Sequence, residues 1–479
     1  MNKIIQIIFL LLISIITLEI LVNNKYINTK YIELNENYIK IQKHLNLTFN
    51  SSIYSLIIEN IYFFYFSFIN KKIKKKIKIG IYTLGLSDAG MQRSTSLMIN
   101  SFYKIKIFDI YLFTINNKEE NEYLIPKYIK RFVIKNYDIN ILIKQIKKNM
   151  IDILIYQFPL YDQMKKLNNL KNIKIIFYIH QCFLYWFYKD YILFKLLYKV
   201  YQNLKYIISL VPFENDYLFK KWGIRSILMD NFITYQYNLV IPSDLSSKTI
   251  LMIGRANDIL KRFDLGIKAM KYIIREIPEC EMKIISKIIG LDNLNILINN
   301  LNLEKNINFV GYSSTPEIYF KNSSLHIFPS ISECFPMVLS ETKIFGIPNV
   351  LVGIDYVSIS KGGTIIIYDD SPKSIAKESI AILKNNKYKK ILSKEAKASM
   401  KRFKNNLLLK KWVKLILSIY NGDLFYKNMI EEEIKIPKND SINIIKKQID
   451  LLKIRNKKFE IITNYFLLEN FTFIENIDI

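Results

Sequence analysis

Residues 331–348 read ISECFPMVLSETKIFGIP and directly follow a short apolar run that ends at Ser330. The later part of this stretch is predicted to form a helix that starts near Pro336, so that Glu341 lies on its second turn and Glu333 precedes it in the loop. A helix N-terminus offers free N–H groups and about half a positive charge, which suits a diphosphate. The stretch therefore predicts an anion site with two carboxylates beside it.

Short apolar runs, typical of buried strands, alternate with helical stretches on both sides of this segment. The first series comprises Ile77–Leu84, Ile105–Phe113, Ile151–Tyr156, Ile173–Ile179 and Tyr206–Val211. After a polar linker at Ser243–Ser247, the second comprises Lys248–Ile253, Met282–Ile285, Ile307–Val310, Leu325–Phe328 and Asn349–Val352. Two such series predict an α/β fold with two doubly wound parallel sheets that face each other across a cleft. Ligands of such sheets bind at the carboxyl ends of the strands.

Glycine is scarce, with 13 in 479 residues, so each one is a candidate for a special backbone requirement. The loop from Gly85 through Gly90 to Arg93 follows the first predicted strand and precedes a helix predicted from Ser94. Such a loop lets backbone N–H groups approach an anion. It matches neither a Walker A loop nor a GxGxxG fingerprint, and an ordinary strand-to-helix turn explains it equally well.

A second loop follows the strand Lys248–Ile253 and carries Gly254, Arg255 and, six residues on, Lys261. The two cations can converge on one diphosphate, because arginine supplies a planar fork and lysine a point charge. By itself the pattern is weak in a chain that is rich in lysine.

The ordered set of Gly-Arg…Lys, Phe-Val-Gly311, Glu-x7-Glu and Gly-Ile-Pro348 resembles the group 1 (family 4) glycosyltransferases, which are retaining enzymes of the GT-B fold. The resemblance covers roughly Ile77 to Tyr420 and is most specific between Glu333 and Glu341. It implies a nucleotide-sugar donor as substrate, no cofactor and no metal. The absence of any Asp-x-Asp motif agrees with a fold other than the metal-dependent GT-A type.

The resemblance also assigns roles to individual residues. Gly254, Arg255 and Lys261 would bind the donor diphosphate, and Glu341 the ribose. Glu333 would face the donor sugar, with the backbone of Phe335, Pro336 and Met337 beside it. Gly90 and Arg93 lie in a loop like the family's glycine-rich loop, and His180 resembles the histidine beside the reacting sugar.

A purely structural role stays open as an alternative at two of these positions, Glu341 and His180. A single glutamate such as Glu341 is often a solvated helix residue, and a lone histidine such as His180 is often structural. His326 lies inside an apolar strand and is interpreted as a satisfied core histidine. The sequence also departs from the family pattern, because its usual Glu-Gly-Phe-Gly loop is here Glu333-Cys-Phe-Pro336 and the later glycine-rich segment is thinned to Gly353…Gly362-Gly363.

Composition limits the function classes. Lysine and arginine exceed aspartate and glutamate by 69 − 42 = +27, which suits an anionic partner, and 50% of the residues are hydrophobic. The three cysteines, Cys182, Cys280 and Cys334, are too few and too widely spaced for a disulfide framework or a cysteine metal cluster.

The N-terminal region predicts attachment to a membrane. The 19 residues Ile4–Val22 are nearly all apolar, just long enough to span a bilayer, and no small-x-small site for cleavage of a signal peptide follows. A second apolar run, Ile53–Ile69, is either another span or an amphipathic stem helix. The lysine-rich segment 71–78 fits contact with anionic headgroups better than nucleic acid.

These observations predict a domain plan. It consists of a transmembrane anchor (1–22), a stem (23–76), an N-terminal Rossmann-like acceptor domain (77–242), a C-terminal Rossmann-like nucleotide-sugar domain (243–400), a helix that packs back on the N-terminal domain (401–422) and a tail of unknown role (423–479).

The predicted function is a single-pass membrane glycosyltransferase that transfers a sugar from a nucleotide-sugar donor to a glycan or lipid acceptor, with the side of the membrane undecided. Nucleic acid is not expected as a partner. Two alternatives remain: a non-catalytic nucleotide-sugar- or glycan-binding protein on a degenerate GT-B scaffold, and a nucleotide-sugar epimerase of the same fold.

Overall fold

The structure, a computed structural model, describes residues 75–182 except 88 and 159, residues 199–422, and residues 443, 444, 446–448, 450, 451 and 454. The predicted anchor, nearly all of the stem and most of the tail lie outside the described residues. The described residues from Ile77 onward form one compact unit. Among the described residues, no helix combines the length and the apolar character that a membrane span requires.

The first half of this unit is built on a seven-stranded parallel sheet with strand order β3-β2-β1-β4-β5-β6-β7. Its strands are β1 (Ile77–Thr83), β2 (Phe108–Thr114), β3 (Lys130–Val133), β4 (Ile153–Tyr156), β5 (Lys174–Ile179), β6 (Tyr206–Ser209) and β7 (Ile227–Leu228). The described helices between them are α1 (Gly90–Tyr103), α2 (Ile139–Asn149), α3 (Tyr161–Asn168) and α4 (Pro212–Trp222).

The second half is built on a six-stranded parallel sheet with strand order β10-β9-β8-β11-β12-β13. Its strands are β8 (Thr249–Ile253), β9 (Glu281–Ile285), β10 (Ile307–Phe309), β11 (Leu325–Phe328), β12 (Asn349–Val352) and β13 (Thr364–Ile367). The helices are α5 (Phe263–Glu276), α6 (Asp292–Asn300), α7 (Glu317–Lys321), α8 (Met337–Ile344), α9 (Pro372–Lys384), α10 (Asn386–Ser399) and α11 (Asn405–Asn421).

The predicted α/β architecture with two parallel sheets is confirmed, and each of the ten predicted strands is present. Three strands were missed: β3, β7 and β13. All three lie at the outer edge of a sheet; β3 and β13 are half-exposed, and β7 is only two residues long. Such strands lack the continuous apolar run that marks a strand buried on both faces.

Helix α1 begins at Gly90, four residues before the predicted start at Ser94. Ala89 has an extended backbone and acts as the N-cap, and its carbonyl oxygen accepts a hydrogen bond from the Arg93 N–H at 3.0 Å. Glycine is a poor helix former, which is why the sequence pattern placed the start too late. The earlier start puts Arg93 on the first turn of the helix.

Helix α11 returns to the first half of the unit. Its Trp412 is fully buried and makes edge contacts with the rings of Phe102 in α1 and Tyr178 in β5, at centroid distances of 5.6 and 5.3 Å. Apolar contacts of this kind pack α11 against the first sheet and α1.

Gly363 shows why a glycine is retained at the start of β13. Its φ is +62°, and a Cβ there would lie 2.3 Å from the Leu392 carbonyl oxygen and 2.4 Å from the Ala396 nitrogen of α10. Both atoms belong to backbone that cannot move aside, so β13 packs this closely on α10 only with glycine at this position.

His326 lies in the middle of β11 and is completely buried. Its Nδ1 lies 2.7 Å from Oδ1 of Asn349 on the neighbouring strand β12. Its Nε2 is buried and has no hydrogen-bond partner in the described part of the chain, so the interpretation as a fully satisfied histidine is wrong for this nitrogen. Burial lowers the pKa of His326 to about 4.

This pKa shift predicts a loss of stability in mild acid. Between pH 7 and pH 5 the unfolded chain takes up a proton on His326, whereas the folded chain does not, because its folded-state pKa lies below this window. The free energy of unfolding should therefore fall by about 2 kcal/mol from this residue alone. Thermal unfolding scans at pH 5, 7 and 8 should show a smaller acid shift for His326→Asn than for the wild type. Equal acid shifts in the two proteins would contradict the assignment.

Candidate active site

The turn between β11 and α8 is held by buried apolar side chains. Phe335 is 5% exposed, and its ring packs edge-on against Phe403 at 5.7 Å. Pro336 has an extended backbone and precedes the first helical residue, Met337, whose side chain is also buried. Because these side chains point into the protein, the groups that this turn can offer a ligand are those of its backbone.

Glu333 lies in the loop before this turn and forms an ion pair with Lys261. The Lys261 Nζ lies 2.6 Å from Glu333 Oε1, and both side chains are largely buried. The backbone N–H of Glu333 donates to the hydroxyl of Tyr356 at 3.0 Å. The structure thus brings together two residues that lie 72 positions apart in the sequence, at the carboxyl ends of the adjacent strands β8 and β11.

Lys261 ends a short 3₁₀ turn that links β8 to α5. Asp258 begins this turn, and its carboxylate accepts the N–H of Leu260 at 3.0 Å. Arg262 follows with a left-handed backbone, and its guanidinium pairs with Asp264 at 3.1 Å and Asp370 at 2.8 Å. These contacts fix the backbone on both sides of Lys261.

Arg255 does not join Lys261 in this structure. Its side chain is 59% exposed and pairs with Asp258 at 2.7 Å. Gly254 precedes it with a φ of +147°, and its N–H donates to the carbonyl oxygen of Ile285 at 3.1 Å. The left-handed region makes glycine favourable at the end of β8. Convergence of Arg255 and Lys261 on one ligand therefore requires Arg255 to leave Asp258.

The first turn of α1 meets α8, so residues from the two sheets lie together. A Cβ on Gly90 would lie 3.5 Å from the side chain of Met337. Arg93 pairs with the carboxylate of Glu341, which is 2% exposed. The same carboxylate oxygen accepts the hydroxyl of Thr234 at 2.8 Å. Both helices start at the carboxyl end of a strand, which is the edge where such sheets bind ligands.

Aromatic rings surround the Arg93–Glu341 pair. The guanidinium of Arg93 lies over the ring of Tyr123 at 5.0 Å. Burial raises the pKa of the Tyr235 hydroxyl, and the carboxylates of Glu341 and Glu317 add to the rise. Glu341 is therefore no solvated helix residue. Because one of its oxygens already accepts two hydrogen bonds, a ribose would have to use the other oxygen or displace Arg93.

His180 lies just after β5, with its ring 4.2 Å from that of Tyr178. Burial lowers its pKa to about 3, so the imidazole is neutral at pH 7. Its Nε2 is buried and has no hydrogen-bond partner within the described residues. The same is true of several other polar atoms near the carboxyl ends of β1, β4 and β5 and in the loop of Glu333. They are Thr83 Oγ1, Gln92 Oε1, Gln157 Nε2, Gln181 Oε1 and Ser332 Oγ. Buried polar atoms without a partner are costly, so they favour the binding of a polar ligand or water.

Two of the cysteines also meet between the halves. The thiol of Cys334 lies beside that of Cys182, and burial raises the pKa of Cys334 well above its usual value. None of the three cysteines forms a disulfide, and all three are buried. The described part of the chain contains no group of three His, Cys, Asp or Glu side chains that could hold a metal ion.

Thr234 and Tyr356 are site residues that the sequence analysis missed. Both are polar residues of connecting segments, and they contact Glu341 and Glu333 across 107 and 23 positions of sequence. Neither lies in a motif, so no local signal could have identified them.

The pair between Arg93 and Glu341 yields a prediction about stability. Arg93→Ala leaves a buried carboxylate without its cation and should lower the free energy of unfolding by about 2 kcal/mol. Glu341→Ala should also destabilise, and the double variant should lose less than the sum of the two, because it leaves no unpaired charge. Thermal unfolding measures all three.

Lys384→Ala is the matched control, because it breaks an exposed pair with Glu276 that water screens, and it should leave the thermal midpoint close to that of the wild type. Strictly additive losses for Arg93→Ala and Glu341→Ala would show that the two residues do not interact.

The second half of the chain is similar to known protein sequences. Residues 240–399 match the family described as "Glycosyl transferases group 1". An uncharacterized glycosyltransferase of Haemophilus influenzae is 30% identical over 132 residues, which are 28% of this chain and 36% of that protein. The chain thus matches about a third of the length of this relative.

Solved structures share the fold at low sequence identity. Sucrose-phosphate synthase from Thermosynechococcus elongatus has a TM-score of 0.61 at 13% identity, over 72% of this chain and all of that one. TarM of S. aureus, in complex with fondaparinux, α-GlcNAc-glycerol and UDP, has a TM-score of 0.59 at 13% identity, over 73% and 100%. HepE from Anabaena, in complex with UDP and glucose, has a TM-score of 0.59 at 12% identity, over 71% and 100%. The chain therefore has a GT-B-like fold, and its residues 240–399 match the model of the group 1 glycosyltransferases.

Proposed function

We propose that the protein is a retaining, metal-independent glycosyltransferase that transfers a sugar from a nucleotide-sugar donor to a hydroxyl group of a glycan or lipid acceptor. The observation that carries the proposal is the pair of Lys261 and Glu333 beside the N-terminus of α8, inside the segment that matches the group 1 glycosyltransferases. The structural neighbours with UDP bound support a nucleotide donor, and the resemblance to the family supports retention.

In this proposal the donor diphosphate replaces Glu333 as the partner of Lys261. The free N–H groups at the start of α8 and the backbone at Gly254 supply further donors, and Arg255 turns from Asp258 toward the phosphates. Negative charge that develops on the leaving diphosphate is then met by fixed cations and dipoles, which is the role that a metal ion plays in other transferases.

Release of Glu333 from Lys261 frees its carboxylate to accept hydrogen bonds from hydroxyl groups of the donor sugar. On the opposite side, His180 acts as a neutral hydrogen-bonding group rather than as an acid or base, because its pKa is about 3. The buried polar atoms near the ends of β1, β4 and β5 that lack a partner among the described residues suit a ligand rich in hydroxyl groups, since such atoms gain partners when the ligand binds.

The test is release of nucleoside diphosphate from a panel of donors, namely UDP-glucose, UDP-N-acetylglucosamine and GDP-mannose, with and without acceptor hydroxyls. A transferase releases the diphosphate in at least one combination, and the anomeric configuration of the product decides retention. A non-catalytic binding protein on the same scaffold binds UDP but releases none, and an epimerase changes the sugar without releasing the nucleotide. Either of these two results would overturn the proposal.

The cations predict a specific pattern of kinetic loss. Lys261→Ala should reduce kcat/KM for the donor by about 100-fold, because it removes a largely buried charge from the leaving group. Arg255→Ala should cost less, about tenfold, since its exposed charge is screened by water. The double variant should lose less than the product of the two, because both cations meet one anion.

Lys268→Ala is the control, since this lysine is exposed on α5 and pairs only with Asp264 in the turn before it. EDTA should have little effect on the wild type. Multiplicative losses, or activity abolished by EDTA, would mean that the diphosphate is bound in another way.

We further propose that residues 1–22 anchor the protein in a membrane as a single span and that the basic segment 71–78 contacts anionic lipid. Deletion of residues 1–75 should leave both sheets intact, because β1 begins at Ile77. The shortened protein should release nucleoside diphosphate at the wild-type rate and no longer co-sediment with vesicles that contain anionic lipid. Continued co-sedimentation would show that another surface carries the attachment.

A further inference from the structure

A short C-terminal segment, outside the part that matches the family, packs on the end of β12. The described residues Lys446–Gln448, Asp450 and Leu451 of this segment are helical. The side chain of Gln448 is 2% exposed, and its Nε2 donates to the carbonyl oxygen of Gly353 and, at 3.2 Å, to Oδ1 of Asp355. A buried amide that donates to two acceptors on one loop makes directional hydrogen bonds, which apolar packing alone does not provide.

Leu451 packs closely against the same loop, at Gly353. Its side chain is 1% exposed, and a Cβ on Gly353 would lie 2.0 Å from Leu451 Cδ2. Gly353 has a φ of +73° and directly follows β12. Its N–H donates to the carbonyl oxygen of Ile367 at 2.8 Å. The backbone angle at position 353 therefore favours glycine, and the Leu451 side chain fills the space beside it.

Several further hydrogen bonds hold the loop that Gln448 contacts. Asp355 Oδ2 accepts the hydroxyl of Tyr368 at 2.6 Å, and its carbonyl oxygen accepts the hydroxyl of Ser360 at 2.8 Å. Lys343, which is fully buried in α8, donates to the carbonyl oxygens of Ile359 at 2.7 Å and Ser360 at 3.2 Å. The loop thus has fixed points at both ends, and Gln448 supplies one at its start.

In the described part of the chain, this loop contacts the proposed site through Tyr356. Tyr356 follows Asp355 and is 3% exposed, and its hydroxyl accepts the backbone N–H of Glu333 at 3.0 Å. Its ring packs edge-on against Phe213 at 5.2 Å. A shift of Asp355 would therefore move the group that holds the backbone of Glu333.

We propose that Gln448 and Leu451 are positioning residues, which set the orientation of Glu333 through Gly353, Asp355 and Tyr356. The proposal rests on the proposed function of Glu333 at the donor sugar. The C-terminal segment touches neither Glu333 nor Lys261 in any described contact, so it acts through the loop. A displacement of less than 1 Å at Glu333 is enough to weaken hydrogen bonds that form only in the transition state.

The experiment uses the full chain with the substitutions Gln448→Ala and Tyr356→Phe, alone and together. UDP-glucose, or whichever donor of the panel is turned over, serves as the substrate. Gln448→Ala should lower kcat about tenfold and leave the KM for the donor within about twofold, because the oriented carboxylate matters most in the transition state. The double variant should lose no more than the larger of the two single losses, since both act on one path.

Ile454→Ala is the matched control, because Ile454 lies in the same segment and is 61% exposed. It should leave kcat, KM and thermal stability unchanged. Gln448→Glu is the second variant if Gln448→Ala fails to fold. It keeps the size of the side chain, removes the amide donor and places a carboxylate near Asp355, so it should lower kcat in the same direction.

Amide hydrogen exchange separates this proposal from the proposed function. The N–H of Glu333 should exchange at least tenfold faster in Gln448→Ala than in the wild type or in Ile454→Ala, whether or not any donor is turned over. If the wild type releases no nucleoside diphosphate but this exchange still rises, the proposed function fails and the positioning path stands. Unchanged exchange at Glu333, or an unchanged kcat with a lower thermal midpoint, would show that the segment only covers the core.

Discussion

The ion pair between Arg93 and Glu341 is the interaction on which the arrangement of the site depends. It joins the helix after β1 of one sheet to the helix after β11 of the other, and it lies almost entirely out of solvent. Parallel strands place all their carboxyl ends at one edge, so this contact brings two such edges together. Gly90 and Met337 meet beside it, and Lys261 and Glu333 belong to the same edge of the second sheet. A buried carboxylate is tolerable here because Arg93 and Thr234 both donate to it.

The central strands and the segment Glu333–Glu341 could be predicted from sequence, because both are local patterns. Strands buried on both faces are continuous apolar runs, and the helix that carries Glu341 follows its strand after a turn marked by Pro336. Edge strands such as β3 and β13 could not be predicted, since they are half-exposed. The partners of the site residues were equally hidden: Thr234, Tyr356 and Gln448 act across long stretches of sequence and occur in no motif.

The departures from the family loop have a structural explanation in this chain. Where the family has glycines, Cys334 lies beside Cys182 of the first half, and Pro336 sets the extended turn that begins α8. The Cys334 side chain thus lies between the two halves, whereas Pro336 acts on the backbone before α8. The glycines that remain in the later segment, Gly353, Gly362 and Gly363, all lie where a Cβ would come too close to a neighbouring atom. Loss of the loop glycines therefore changes how the loop is packed and leaves the carboxylate of Glu333 at the edge of the sheet.

The central claim is that the edge marked by Lys261 and Glu333 binds the diphosphate of a nucleotide. A crystal structure of the protein with UDP tests it most directly. We expect phosphate oxygens within about 3 Å of Lys261 Nζ and of the N–H groups at the start of α8. The pair of Lys261 and Glu333 should be broken, and the Glu333 carboxylate should face the space that remains for a sugar. UDP bound elsewhere, with Lys261 still paired to Glu333, would contradict the account.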